Sequence, residues 1–241
     1  MRKILIFFYR KVEAFLPGKL QLLVWDYYLS NLVKSSYSQY GEDLIINNFF
    51  DGKNLNNGNY LDIGCYHPKG ISNTHALHLK GWKGLVVDID DYKLSLFKKR
   101  RGSEVETLKA AISHQSTKEL VSVYKFNKPF SPFDTLSKEV ADMRSKEINI
   151  GYSVEKVRQI DINSLLAKQE YDLINIDVEG LDEIIVNSIN FQKYQPSLIV
   201  YESFSPYEPS DTKEVLLKNG YELLFITGGS LGFHKRVNKN R

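Results

Sequence analysis

The chain has one cysteine, Cys65, which excludes an intramolecular disulfide and any zinc site built on several thiolates. A reducing, cytoplasmic setting suits it, with peripheral contact at the inner face of a membrane as an extension. One-sided charge is missing too: 32 basic residues stand against 29 acidic ones, a formal net charge of +3. That mixture gives no cationic face for tracking phosphates, so no nucleic-acid partner is expected. Long apolar runs are absent. The opening "MRKILIFFYRK" has six apolar residues before Arg10 and Lys11 interrupt it, too few to span a bilayer, and no small-residue cleavage site follows. Internal repeats and low-complexity tracts are also lacking.

What is present suits one α/β domain with an appended arm. With 241 residues, 42% of them hydrophobic, the chain can bury a substantial core. In residues 1–35, Ile4, Phe7, Phe8, Val12, Phe15 and Leu16 recur at helical spacing beside Arg2, Lys3, Arg10 and Lys11. This predicts an amphipathic helix, broken at "LPGK" and followed by the helix "LQLLVWDYYLSNLV". Such an arm suits a membrane surface, or packing on the main domain or on a second subunit of a homo-oligomer.

From residue 59 onward, buried-strand patterns alternate with helical ones. "NYLDIG", "GLVVDID", "EVETLKAAI", "YDLINID", "SLIVYE" and "YELLFI" read as strands, "LGFHKRV" as a last one after a turn at Gly228-Gly229, and "ELVSVYKF" as an edge strand or hairpin arm. "SNTHALHLKG", "DYKLSLFKKRR", "LDEIIVNSI" and "DTKEVLLKNG" read as helices, the first capped at Gly81. The alternation predicts a mostly parallel sheet wound on both faces and closed by an antiparallel C-terminal strand. Residues 127–150, polar and punctuated by proline, read as an inserted loop with a short helix.

In such sheets ligands bind beyond the carboxyl ends of the strands. "NYLDIGCYHPKG" is therefore a site candidate, with Asp62 at the strand end and Gly64 allowing close backbone approach. Asp88 closes the second strand 24 residues after Gly64, where an acid accepts ribose hydroxyls in dinucleotide folds. The glycine fingerprint that cradles a pyrophosphate is missing, because Tyr66 and His67 stand where glycines are needed. A nicotinamide oxidoreductase is thereby disfavoured. S-adenosylmethionine, which has no phosphate and carries cationic groups, fits carboxylates better.

These pieces resemble the FkbM-type S-adenosylmethionine-dependent methyltransferases. The likeness runs from about Ser38 to Val237 and rests on "SQYGEDLII", "LDIGCYHP" with "SNT", "GWKGLVVDID", "DTLSKE" and "INIDVEG". It implies a Rossmann-like class I methyltransferase fold with strand order 3-2-1-4-5-7-6, and O-methylation of a sugar, glycolipid or other small hydroxylated metabolite. It also implies that Ser38 and Gln39 lie over the methionine end of the cofactor, and that Cys65, Tyr66, Ile89 and Ala111 join Asp62, Gly64 and Asp88 in binding it. One departure is Pro68, where many relatives carry a second glycine.

Methyl transfer from a sulfonium needs positioning and, for an alcohol acceptor, a base. Asp177 and Glu179 of "IDVEG" are the leading catalytic pair: two carboxylates in one pocket raise the proton affinity of one of them, or together hold a divalent cation such as magnesium. His67 is the other base candidate, against a polar loop residue that bonds the backbone. His75 and His78 read as surface or packing residues. Glu202, Phe133 and Thr135 are candidate substrate contacts. Phe130 and Tyr152 join Phe133 as aromatics able to stack on a sugar or simply to anchor a loop. The competing reading is a noncatalytic, membrane-associated scaffold that keeps the fold.

Overall fold

A computed structural model describes Pro17, Leu20 and residues 34–113, 120–128 and 130–236. The chain divides into two compact units, Met1–Ser35 and Ser36–Arg241, and everything below belongs to the second. The expected helices of residues 1–35 lie outside the described residues, apart from Pro17, Leu20, Lys34 and Ser35. Among the described residues no helix is long and apolar enough to cross a membrane.

Seven strands form the main sheet: β1 (Asn59–Ile63), β2 (Lys83–Asp88), β3 (Val105–Lys109), β7 (Leu173–Ile176), β8 (Leu198–Glu202), β9 (Tyr221–Thr227) and β10 (Ser230–Lys235). Their order is β3-β2-β1-β7-β8-β10-β9, with β10 antiparallel to both neighbours and the other pairings parallel. The expected topology is therefore present. The central strands β1, β2, β7 and β8 are buried almost throughout because helices cover both faces, which is why they read as continuous apolar runs.

Alternate residues feed opposite layers. Leu61, Ile63, Leu85, Val87, Ile174, Ile176 and Ile199 pack with helices α5 (Ile162–Leu166), α6 (Asp182–Asn187) and α7 (Asp211–Lys218). Tyr60, Val86, Leu173, Leu198 and Val200 pack with α1 (Glu42–Gly52), α2 (His75–His78) and α3 (Asp91–Arg101). Trp82, fully buried against Phe50 with ring centres 4.6 Å apart, anchors the second layer. Each such fully buried large side chain contributes about 1.5–3 kcal/mol.

Three elements differ from expectation. The helix after the first strand is only four residues, His75–His78, and Gly81 (φ 87°) closes the turn beyond it. The third strand splits: β3 stays in the main sheet, while β4 (Ala111–Ser113) leaves it to pair with β6 (Tyr152–Asp161). β6 also pairs antiparallel with β5 (Leu120–Phe126), the expected hairpin arm, in a second sheet ordered β4-β6-β5. The 127–150 segment, with helix α4 (Lys138–Ile148), thus hangs from the end of a hairpin. β6 itself was not foreseen, because "YSVEKVRQID" is largely exposed and only Val157 is buried.

Candidate active site

The tips of β2, β1 and β7 are laced together at Gly64. Its N–H donates to the Val87 carbonyl at 2.9 Å, and the Asp177 N–H donates to the Ile63 carbonyl at 2.9 Å. Gly64 has φ 81°, and a Cβ there would lie 1.6 Å from the Asp177 carbonyl oxygen. Glycine is required by the neighbouring strand's backbone, a cause the expectation of close ligand approach did not contain.

Asp62, buried beneath this turn, accepts from Thr74 Oγ1 at 2.6 Å and from Asn175 Nδ2 at 2.9 Å. Arg101, 3% exposed, completes the support: it donates to Pro68 O, Tyr60 Oη, Thr74 Oγ1 and Ser72 Oγ, all at 2.8–2.9 Å. Four residues at and after the first strand are thereby pinned by a helix terminus. Sequence reasoning missed Arg101, since a basic residue in a last helical turn reads as a solvated cap.

Beyond the tips lies a cavity of about 390 Å³, bounded by Gln39, Gly64, Tyr66, Asp88, Ile89, Ala111, Phe133, Thr135, Asp177, Glu179 and Glu202. Most of the residues expected from sequence meet here. Asp62, Cys65 and His67 instead border a smaller adjoining cavity of about 50 Å³ that shares Gly64, Tyr66 and Asp177. Ser38 borders neither. Its hydroxyl donates to Asp43 Oδ1 at 2.9 Å and accepts from the Asp43 amide at 3.1 Å, so it serves the start of α1 and does not lie with Gln39 at the cavity. Of the three aromatics, Phe133 lines the cavity. Phe130 (φ 57°) packs on Tyr66, and Tyr152 on Tyr124 and Phe126.

His67 is poorly suited to be a base. Its Nδ1 accepts from the Lys69 and Gly70 amides at 3.2 and 2.8 Å, so the neutral ring carries its proton on Nε2 and has no free lone pair. Burial, then Arg100 and Arg101, lowers its proton affinity further. The loop role is the one its contacts express.

The carboxylates differ sharply. Asp88, 6% exposed, accepts from the Asp90 amide at 2.8 Å. Burial raises its pKa to about 6, and Lys93 opposes the rise. Asp177 keeps open surface, but that surface faces the cavity. Burial lifts its pKa well above the ordinary carboxylate range, and Asp182, Glu202, Glu179 and Asp62 add to the lift. Glu179 is no equal partner, because Arg144 pairs with its Oε2. Its backbone sits at φ 59°, a strained region for a side-chain-bearing residue. Thr135 Oγ1 donates to the Glu179 carbonyl at 3.2 Å. Asp182 accepts from the Val178 and Gly180 amides, each at 3.1 Å, and holds the loop in that shape. Burial brings Asp182 to about 7. Neither Asp182 nor Arg144 was singled out from sequence; Asp182 was legible as an acid opening a helix. Among the described residues no group of three or more ligating side chains converges to hold a metal.

Solved structures that the chain resembles include a TehB-like S-adenosylmethionine-dependent methyltransferase from Corynebacterium glutamicum (15% identity, 91% of this chain and 100% of that one, TM-score 0.42). Others are the N-methyltransferase NodS from Bradyrhizobium japonicum (12%, 81% and 94%, 0.39) and the magnesium protoporphyrin IX methyltransferase from Synechocystis (10%, 81% and 79%, 0.38). These likenesses are distant, and the fold rests on the strand order above. No curated protein matches the chain significantly. The family model "Methyltransferase FkbM domain" matches residues 62–223, from the acid of the first strand into β9, and the chain therefore belongs to the FkbM methyltransferases.

Proposed function

We propose that the chain is an S-adenosylmethionine-dependent O-methyltransferase acting on a hydroxyl of a glycan, glycolipid or other small hydroxylated metabolite. One observation carries the reading: a single cavity has a carboxylate at the tip of β2 and, across Gly64, a carboxylate of raised proton affinity at the tip of β7.

The lining fits the donor. At about 390 Å³ the cavity falls in the range of small-molecule pockets, roughly 300–1,000 Å³. Ile89, Ala111, Ile112 and Pro132 give it an apolar wall for a ring, and Asp88 keeps one oxygen beyond its bond to Asp90 for ribose hydroxyls. When bound, the donor supplies a methyl group already activated on a sulfonium. Asp88 would hold and orient it, and Gln39 lines the same cavity. Asp177 accepts the proton of the acceptor hydroxyl, for which a carboxylate of raised proton affinity is suited. Arg144, by pairing with Glu179, occupies that second carboxylate and leaves the base role to Asp177. Orientation supplies the larger share, on the order of 7–11 kcal/mol in well-positioned reactions, and a base about 10²–10⁴-fold.

Incubation of the purified chain with methyl-labelled donor and cell-envelope glycan extracts is expected to label a hydroxyl-bearing fraction. Asp88→Ala is expected to lower donor affinity about 100-fold, the loss of two hydrogen bonds to a charged acceptor. Undiminished affinity in that variant would remove the ribose assignment.

A further inference from the structure

Helix α3 starts at Asp90, whose carboxylate accepts from the amides of Tyr92 and Lys93. From this capped first turn the Lys93 side chain runs inward. The residue is 5% exposed and lines the main cavity beside Tyr66, Asp88 and Asp134. Its ammonium stands 3.9 Å from Asp134 Oδ2, an ion pair too long to be a hydrogen bond, and 5.6 Å from the centre of the Tyr66 ring. Among the described residues Asp134 is the one carboxylate within 4 Å of it, and none of their acceptors is hydrogen-bonded to the ammonium. Asp134 is itself held, with its other oxygen accepting from the Phe126 amide at 3.0 Å. The ammonium therefore lines the cavity with donors that no described residue fills, and the cavity is the space where a ligand can fill them.

We propose that Lys93 is a donor-binding residue, its ammonium donating to a ribose hydroxyl oxygen while Asp88 accepts that ribose's hydroxyl protons. This rests on the donor assigned above and adds a second contact to it. A hydroxyl is donor and acceptor at once. An acid and an ammonium on one wall therefore match both halves of a vicinal diol, which neither group does alone. Asp134 supplies the counter-charge that makes a buried ammonium tolerable beside the donor. The site then requires a hydroxylated ribose in a way that a lone carboxylate does not.

The test is calorimetric titration of the full chain with S-adenosylhomocysteine and with its analogues lacking the 2′- or the 3′-hydroxyl. Wild type is expected to favour the hydroxylated ligand over at least one analogue. Lys93→Met, which fills the same buried space without charge, is expected to weaken S-adenosylhomocysteine binding roughly 10- to 100-fold, the cost of one charge-assisted hydrogen bond. It is expected to weaken that deoxy analogue far less, so that discrimination collapses. Lys93→Arg is expected to restore part of it. Equal losses for every ligand in Lys93→Met would mean a merely structural lysine and overturn the proposal, as would wild-type affinity in that variant. If Lys93→Met does not fold, Lys93→Gln decides on the same criterion. If wild type binds none of the ligands, the donor reading itself falls and this assignment with it; binding that Asp88→Ala weakens and Lys93→Met leaves unchanged sinks only the lysine.

Discussion

The two ends of the cavity hold the same functional group in opposite electrostatic company. At the β2 end, Asp88 has Lys93 nearby, and Asp134 and Asp90 each have a lysine partner within 4 Å, Lys93 and Lys125 respectively. At the β7 end, Asp177 is crowded by Asp182, Glu202 and Glu179, and Arg144 is committed to Glu179. Interleaved cations offset part of the rise that burial imposes on Asp88, which stops at about 6 and leaves the carboxylate charged at neutral pH, as binding a neutral diol requires. Crowded carboxylates raise proton affinity, as taking a proton requires. One sheet edge thus supports two uses of aspartate, separated by one glycine turn.

The largest expected effect comes from removing that separation. Gly64→Ala drives a methyl group into the Asp177 carbonyl and is expected to cost more than about 4 kcal/mol, or to prevent folding; denaturant unfolding measures it, and near-native stability would refute the lacing of the three tips. Asp177→Asn probes the crowded end alone. The rate constant is expected to fall about 10²–10⁴-fold with donor affinity retained. The active form is the carboxylate and its pKa is raised, so the wild-type rate climbs with pH through a value above the ordinary ~3.9. A limb of that kind surviving in the asparagine variant would transfer the base role elsewhere. Arg144→Gln gives the smallest change. Arg144 lowers the proton affinity of Glu202, so its loss is expected to move the titration of Glu202, read by carboxyl NMR, upward by less than about one pH unit for part-exposed groups; an unmoved Glu202 would detach Arg144 from the electrostatics of this end.

The sheet was legible from the chain because each central strand is a mostly apolar run closed by an acid or glycine, broken only by Asp62 in β1 and Asn175 in β7, a pattern fixed by local burial. β6 was not, since its residues mostly face water and its strand character comes from pairing with Leu120–Phe126, over thirty positions away at the far end. The site residues Asp88, Asp177 and Glu202 were legible as acids at strand ends. Their differences were not: Glu179 meets Arg144, 35 positions earlier, and His67 loses its lone pair to amides that no residue type announces. Lys93 and Arg101 show the same limit. Both sit in a helix whose sequence, "DYKLSLFKKRR", reads as a basic surface, yet both are buried and face the loops of the site.

Gln39 borders both cavities, and the segment carrying it is fastened to the last hairpin. Thr227 Oγ1 donates to the Tyr40 carbonyl at 3.1 Å, Ser230 Oγ to Glu42 Oε1 at 3.3 Å, and the Tyr40 ring fills the space above Gly228 that a Cβ would need. During synthesis the ribosome must therefore release the chain through β10 before this wall can close, and nascent chains stopped short of β9 leave the enzyme's mouth unfinished.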